Sequence, residues 1–483
     1  MRIFITGATG FVGRALTLRL IGSGHEVIAW VRDERRARNQ LGPDVKLAPT
    51  SSNIGDQVAA ADAVINLAGE SIFGGRWTAE RKRALADSRL NLTRDIVSAI
   101  AAAPTKSRVL ISASAVGYYG DRGDEIVEDN AAPGSDFLAN VCRDWEGAAL
   151  KARESGVRVF VPRLGIVLGA EGGALATMLI PFRIGAGGPI GSGRQYVPWI
   201  HLDDLITIIV TALEDDRYSG PMIAAGPNPI TSRQLAAAIG AVLHRPSFMP
   251  APALALRIAL GEMATMLLTG QRVNPQRLNR AGFSWRYPTI ETALADILKD
   301  HEPVIQRFGV ATPQPSNSDS EYLKQHRPRF MLMHQTMVSA PVQEVFAFFS
   351  KPQNLGVMTP SAMGFQIEGA MPDEIRRNLI IEYTLRVGPI PLRWRTCIEE
   401  WQPPRGFADS QESGPYSCWW HEHHFQEDGS QTLMEDRVYY APPLGPLGDV
   451  ANALFVAPML RRIFAYRSQM MRLRFPGTAQ AKT

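Results

Sequence analysis

Three glycines, Gly7, Gly10 and Gly13, stand three residues apart in TGATGFVG (6–13). The segment joins a strand-like run, RIFIT (2–6), to a helical one, Phe11–Ile21. That setting suits a phosphate cradle. Gly7 permits a tight turn, Gly10 lets the backbone approach a pyrophosphate, and Gly13 lets the helix pack on the strand. Thr9, Phe11 and Val12 complete the turn. Free N–H groups and the dipole at the helix N-terminus favour the phosphate charge. The end of the next strand, EVIAWV (26–31), then discriminates between dinucleotides. An acidic residue there would take a ribose 2′-OH, but Val31 holds that place and Arg32 follows. Arginine favours a 2′-phosphate by charge-assisted pairing, and its plane can stack on adenine. Asp33 lies beyond the expected position. NADP(H) is therefore expected over NAD(H).

A second chemical run is His421-Glu422-His423-His424. On a strand, His421 and His423 share one face while Glu422 and His424 share the other. Two imidazoles on one face could bind zinc with a third ligand. No Cys or Asp flanks them, so no metal is expected. Trp419 and Trp420 point to opposite faces, so one of them should line any cavity there.

The elements that must position these residues follow from length and pattern. At ~100–200 residues per domain, a chain of 483 residues holds more than one. With 45% hydrophobic residues, global disorder is excluded. Three cysteines show no CxxC spacing and fit a reducing compartment. Lys and Arg number 51 against 47 Asp and Glu, without a basic block interleaved with aromatics, so no nucleic-acid partner is expected. The apolar stretches around 252–268 and 450–464 are broken by Arg257, Glu262 and Arg461 and are too short and charged to span a membrane. The N-terminus runs straight into a strand without a cleavable apolar core, and a cytoplasmic protein is expected.

Up to about residue 180, apolar strands alternate with helices: AVINLA (63–68), the long helix Ala79–Ala103, RVLISAS (108–114) and VRVFVPRL (157–164) follow the first two strands. This predicts a Rossmann-type α/β domain with a doubly wound parallel sheet. Residues 181–310 loosen into a small C-terminal, substrate-side lobe. ATPQPSNSDSEYLKQHRPR (311–329) reads as a linker. Residues 330–475 then show a strand, a helix, several strand-like runs and a long closing helix over about 447–474. That is an α+β plan able to hold an apolar cavity.

NLAGESI (66–72), SASAVGYYG (112–120), PRLGIVLG (162–169), GGPIGSGRQ (187–195), WIHLDDL (199–205) and GQRVNPQRL (270–278) narrow the reading. With the glycine turn, they resemble the extended short-chain dehydrogenase/reductase family of sugar-nucleotide epimerases and dehydratases. The nearest subgroup is the "epimerase family" type, also described as similar to a cell-division inhibitor. The resemblance covers nearly all of residues 1–300. SAPVQEVFAFFS, IPLRWRTCIEEWQPP and DRVYYAPPLGPLG make residues 330–475 similar to the START-like, polyketide-cyclase (SRPBCC) superfamily, which has a helix-grip fold.

The resemblance implies that Leu67, Ala68 and Gly69 pass along the cofactor and that Leu164 and Gly165 lie near its nicotinamide. Arg89 stands where the wider family usually has Asn and could reach the cofactor or a substrate anion. The wider family uses Ser with Tyr-x-x-x-Lys. Its Tyr transfers a proton, and a nearby cation is needed because a free phenol, with a pKa of ~10, is a poor base at neutral pH. Ser114 matches the Ser, but Leu138 and Cys142 fall at the Tyr and Lys positions. Tyr118 and Tyr119 are the nearest phenols. Glu70 is expected near the nicotinamide as a carboxylate able to act as acid or base. His201 and Asp203 are further candidates, although Asp203 and Asp204 could equally cap the following helix.

These residues imply an NADP(H)-dependent oxidoreductase or epimerase-like enzyme. Its substrate would be a small carbonyl or hydroxyl compound, and its C-terminal domain would bind an apolar ligand. Two alternatives remain. One is a non-catalytic NADP(H)-binding regulatory protein, with a cell-division link. The other is a lipid or aromatic-ligand carrier.

Overall fold

The computed structural model describes residues 1–169, 172–298, 303–369, 372 and 374–477. Two compact units emerge, Met1–Glu34 with Val45–Asp300, and Arg35–Asp44 with His301–Thr483.

The first unit is built on a parallel sheet. Its strands lie in the order Gly220–Ala224, Arg158–Leu164, Val109–Ser112, Ala63–Asn66, Arg2–Thr6, Glu26–Val31 and Lys46–Pro49, and the short Ser114–Ala115 also pairs with Arg158–Leu164. All these pairings are parallel. Phe4, Val64, Leu110 and Val159 are fully buried, with Ile96 and Ile100 of the helix Ala79–Ala102 packed in the same cluster. Strands apolar on both faces with crossover helices give a Rossmann-type sheet. The strand order reverses between Arg2–Thr6 and Ala63–Asn66, and ligands of such sheets bind at the carboxyl ends beside that reversal. There Thr6 Oγ1 donates to Asn66 Oδ1 at 2.7 Å and Asn66 Nδ2 donates to Thr93 at 2.9 Å, which closes the crevice floor. Residues after 172 add a helical cluster in which Gly173–Arg183, Ser232–Leu243 and Ile290–Leu298 pack around Trp199 and Tyr287.

The second unit is an antiparallel sheet in the order Val304–Arg307, Phe330–Val338, Gln431–Ala441, Cys418–Asp428, Gly406–Ser413, Ile390–Gln402, Ile380–Val387 and Gln366–Ile367. Its faces separate by strand alternation. Trp419, Val438 and Tyr440 pack with Leu460 and Phe464 of the helix Ala457–Arg474. Trp420 and Tyr439 face the opposite side. The closing helix is not continuous from 447: Pro446–Ala451 passes through a π turn, Asn452–Val456, before Ala457–Arg474.

The segment 311–329, expected as a linker, is packed instead. Glu422 accepts from Ser316 N at 2.7 Å and from the Ser316 hydroxyl at 3.1 Å, and Tyr322 OH accepts from Trp419 N at 3.0 Å. Leu323 is buried against the outer sheet face. Polar composition hid this role, because these residues bond to a sheet face that is remote in sequence. Among the described residues, no helix is long and apolar enough to cross a membrane.

Candidate dinucleotide site and a second cavity

The glycine turn has the geometry that a phosphate cradle requires. Gly7 has φ +74°, and a Cβ there would lie 2.8 Å from the Leu67 carbonyl carbon. A Cβ on Gly13 would lie 2.1 Å from Gly7 O. Gly10 is exposed and extended at the N-cap of the helix Phe11–Gly22, and its N–H donates to Gly7 O at 2.9 Å. Thr9, Phe11 and Val12 are half-buried around it. Gly169, Gly172 and Gly173 close over the Phe11 ring, so tightly that a Cβ on Gly172 would lie 2.3 Å from it. Leu67 and Ala68 run past Gly7, and Gly69 is exposed. A cradle that any Cβ would fill, beside open helix N–H groups, fits a dinucleotide pyrophosphate.

Arg32 ends the second strand with its side chain 86% exposed. Its nearest anion is Glu70, 3.8 Å away, and Arg81 holds the other Glu70 oxygen at 3.4 Å. Glu70 therefore stands beside Arg32, on the side expected to receive the ribose 2′ position. Glu70, expected near the nicotinamide as an acid or base, is engaged by these two guanidinium partners. Arg89 is also committed: it donates to Leu85 O at 2.9 Å and Glu70 O at 3.0 Å, and lies 5.4 Å from the Trp145 ring. It packs under Gly69, whose Cβ would lie 2.9 Å from the guanidinium, and so it braces the loop from beneath.

Ser114 is 2% exposed and donates to Glu146 Oε1 at 2.6 Å. Arg163 grips both Glu146 oxygens at 2.8 Å and donates to Tyr119 OH at 2.7 Å. Its guanidinium lies 3.6 Å from the Tyr118 ring. Burial pushes the Tyr119 phenol well above its ordinary range, while the Glu146 carboxylate holds Arg163 firmly protonated. Tyr118 is half-buried and is the more accessible phenol. Leu164 is half-buried one residue beyond Arg163, and Gly165 N donates to Ala224 O at 2.9 Å. The spacing of 17 residues between Glu146 and Arg163 concealed this pair. The available signal was a charged Arg inside the apolar strand VFVPRL, a type rarely buried unless paired.

His201 and Asp203 do not join this group. His201 Nδ1 accepts from Asp203 N at 3.1 Å and caps the helix Leu202–Glu214. Asp204 accepts from the Arg286 and Tyr287 amides, so the capping residue is His201 rather than either Asp.

Cys142, expected at the wider family's Lys position, is buried. Burial pushes its thiol up to about 11, Cys397 up to about 11 and Cys418 up to about 12. A raised thiol pKa means less thiolate at any given pH. At pH 8 a pKa of about 11 leaves roughly one-thousandth thiolate, against roughly a quarter for a free cysteine. Iodoacetamide should therefore label the native chain at less than a hundredth of the unfolded rate, with three labels after denaturation by intact mass. Fast native labelling at Cys142 would show that the helix Phe137–Leu150 opens.

The second unit encloses a cavity of about 360 Å³, walled by Tyr383, Trp394, Tyr416, Trp419, Leu460 and Phe464 among others. Its polar end carries His421 and His423. The sequence offered no third ligand, but strand pairing brings one: Asp409 lies opposite His421, and Asp436 lies opposite His423. Burial, with His423 alongside, pushes His421 down to about 4. Arg467 and the two imidazoles hold Asp436 well below the usual carboxylate range despite its burial.

Comparison with known proteins assigns the first unit. Residues 3–225 match the NAD dependent epimerase/dehydratase family, and residues 251–297 match a domain of unknown function, DUF1731. The Arabidopsis thaliana "Epimerase family protein SDR39U1 homolog, chloroplastic" is 41% identical over 305 residues, covering 62% of this chain and 87% of that protein. "Epimerase family protein YfhF" of Bacillus subtilis is 38% identical, covering 63% of this chain and all of that protein. The structure of human epimerase family protein SDR39U1 with NADPH superposes with a TM-score of 0.56 at 36% identity, covering 62% of this chain and 100% of that one. The glycine cradle, the parallel sheet and these matches agree: the chain belongs to the NAD(P)-dependent epimerase family of the short-chain dehydrogenase/reductase type, in its SDR39U1-like branch.

Proposed function

We propose that the first unit is an NADP(H)-dependent oxidoreductase or epimerase-like enzyme acting on a small carbonyl or hydroxyl compound. The observation that carries the cofactor preference is Arg32, exposed at the end of the second strand and tethered only at 3.8 Å by Glu70. A guanidinium so placed can swing onto a 2′-phosphate with bidentate, charge-assisted bonds. The human relative solved with NADPH supports the same reading. Gly7, Gly10 and Gly13 would hold the pyrophosphate, and Leu164 and Gly165 would border the nicotinamide. The bound cofactor supplies hydride transfer.

Leu138 and Cys142 cannot move the proton, so the chain's other groups must. Tyr118, the less buried of the two phenols, would be the proton carrier, and Arg163 3.6 Å from its ring would supply the positive charge that the wider family takes from Lys. Ser114, buried and oriented by its bond to Glu146, would accept a hydrogen bond from a substrate O–H through its hydroxyl oxygen. The absence of Tyr-x-x-x-Lys and the commitment of Ser114 to Glu146 favour a second reading, a regulatory protein that holds NADP(H) without turnover. Substrate-dependent oxidation of NADPH in the steady state would exclude it.

We read the second unit as a helix-grip, START-like ligand domain. The antiparallel sheet, the helix Ala457–Arg474 and the apolar cavity support that reading. The test of the cofactor assignment is calorimetric titration of the full chain with NADPH and NADH. NADPH should bind at least tenfold more tightly. Arg32→Ala should remove about tenfold or more of that affinity, about 1.4 kcal/mol, and leave NADH within twofold. Equal affinities in the parent protein would refute the NADP(H) preference.

A further inference from the structure

We propose that the polar end of the second unit's cavity is a mononuclear site for a divalent transition-metal ion. Its ligands are Asp409 Oδ2, His421 Nδ1 and His423 Nε2, and its open coordination positions face the apolar cavity. Each of the three residues offers a donor atom within 4.8 Å of a donor atom of the other two. Asp409 Oδ2 is 3.2 Å from His423 Nε2 and 3.7 Å from His421 Nδ1. Ligands about 2.0–2.1 Å from zinc, at octahedral to tetrahedral angles, stand roughly 2.8–3.4 Å apart. The Asp409–His423 edge already has that length, and the Asp409–His421 edge closes by a few tenths of an ångström.

The orientation of the rings is the second observation. Each imidazole turns its remaining nitrogen toward one buried carboxylate. His421 Nε2 is 2.9 Å and His423 Nδ1 is 3.0 Å from Asp436 Oδ1. A carboxylate behind a ligating histidine fixes its tautomer and strengthens it as a donor. His423 Nδ1 lies at that distance without the alignment of a hydrogen bond, although the residue is only 4% exposed. The cluster is therefore incompletely satisfied as a hydrogen-bonded network, which is costly in a buried place. Drawing His423 onto a metal through Nε2 would relieve it. Arg467 Nη1 sits 2.7 Å from the same Asp436 oxygen, so Asp436 is already balanced and only Asp409 contributes net charge to the ion.

The donor set of two nitrogens and one carboxylate oxygen suits Zn²⁺ or Fe²⁺, with one or more positions left for a ligand. The surrounding wall is aromatic and aliphatic. The ligand class is therefore an apolar molecule with one oxygen donor: a carboxylate, enolate or phenolate. The metal site rests on neither the NADP(H) reading nor the identity of that molecule.

The test uses the full chain, stripped with a chelator and titrated with Zn²⁺ against a chromophoric competitor. Co²⁺ absorption serves as a parallel readout. One Zn²⁺ per chain and ligand-field bands from Co²⁺ are expected. Asp409→Asn should weaken Zn²⁺ at least tenfold, and Asp436→Asn should weaken it about 10–100-fold through ring orientation. Asp409 borders the cavity, so its amide variant should fold even where Asp436→Asn does not, as judged by circular dichroism. Asp296→Asn is the control, because His201, Asp203 and Asp296 form the other three-residue grouping among the described residues. No stoichiometric Zn²⁺, unchanged affinity in Asp409→Asn, or loss confined to Asp296→Asn would each overturn the proposal.

Discussion

Arg163→Met is expected to destabilise the first unit by about 3–5 kcal/mol, because it leaves a buried carboxylate without its countercharge. Arg163 and Glu146 side chains are only 4% and 5% exposed. Their paired bonds of 2.8 Å replace the water that Glu146 gives up on folding. Without Arg163, only the Ser114 hydroxyl remains on that carboxylate, and Tyr119 OH loses its 2.7 Å donor. Glu146→Gln combined with Arg163→Met should recover much of the loss, since a neutral amide costs far less to bury than an unpaired charge. Hydrogen exchange in peptides from Arg158–Leu164 and Phe137–Leu150 reads the opening free energy of this unit directly. If the single variant proved as stable as the double, the pair would not be the support described here.

Gly13→Ala should lower NADPH affinity by about 100-fold or more, close to 3 kcal/mol. The added methyl would fall 2.1 Å from Gly7 O and 2.9 Å from Ala8 Cα. Gly7 cannot yield, because its positive φ and the Leu67 backbone fix it from the other side. The helix must therefore shift outward and carry its N-terminal N–H groups away from the phosphates. Gly10→Ala separates binding from folding. Its Cβ meets only Gly7 O, at 3.2 Å, and its φ of −75° suits any residue. That variant should keep the parent's thermal stability and still bind NADPH weakly, because the methyl occupies the space of the pyrophosphate. Full affinity in Gly13→Ala would mean that the turn is not the phosphate site.

What the chain's own order determined is local. Three glycines at fixed spacing after RIFIT are enough to specify a strand, a turn and a helix, because φ preference and helix capping act over a few residues. Arg32 followed from its place after a strand. The alternation through Trp419, Trp420, His421 and His423 assigned the faces, since a strand has period two whatever it pairs with. Tertiary structure decided the partners. Glu70 was readable as a carboxylate after a strand, but only folding set it between Arg32 and Arg81. Arg163 was visible as a charge in an apolar strand, but its grip on Glu146 required the helix Phe137–Leu150 to pack on that strand. Asp409 and Asp436 come from strands on either side of the two histidines. Cross-strand register depends on how whole faces bury, and a slip of one residue would turn either carboxylate away from the cavity. The same reasoning applies to 311–329: its composition is that of a linker, and only the sheet face carrying Glu422 gives its polar groups their partners.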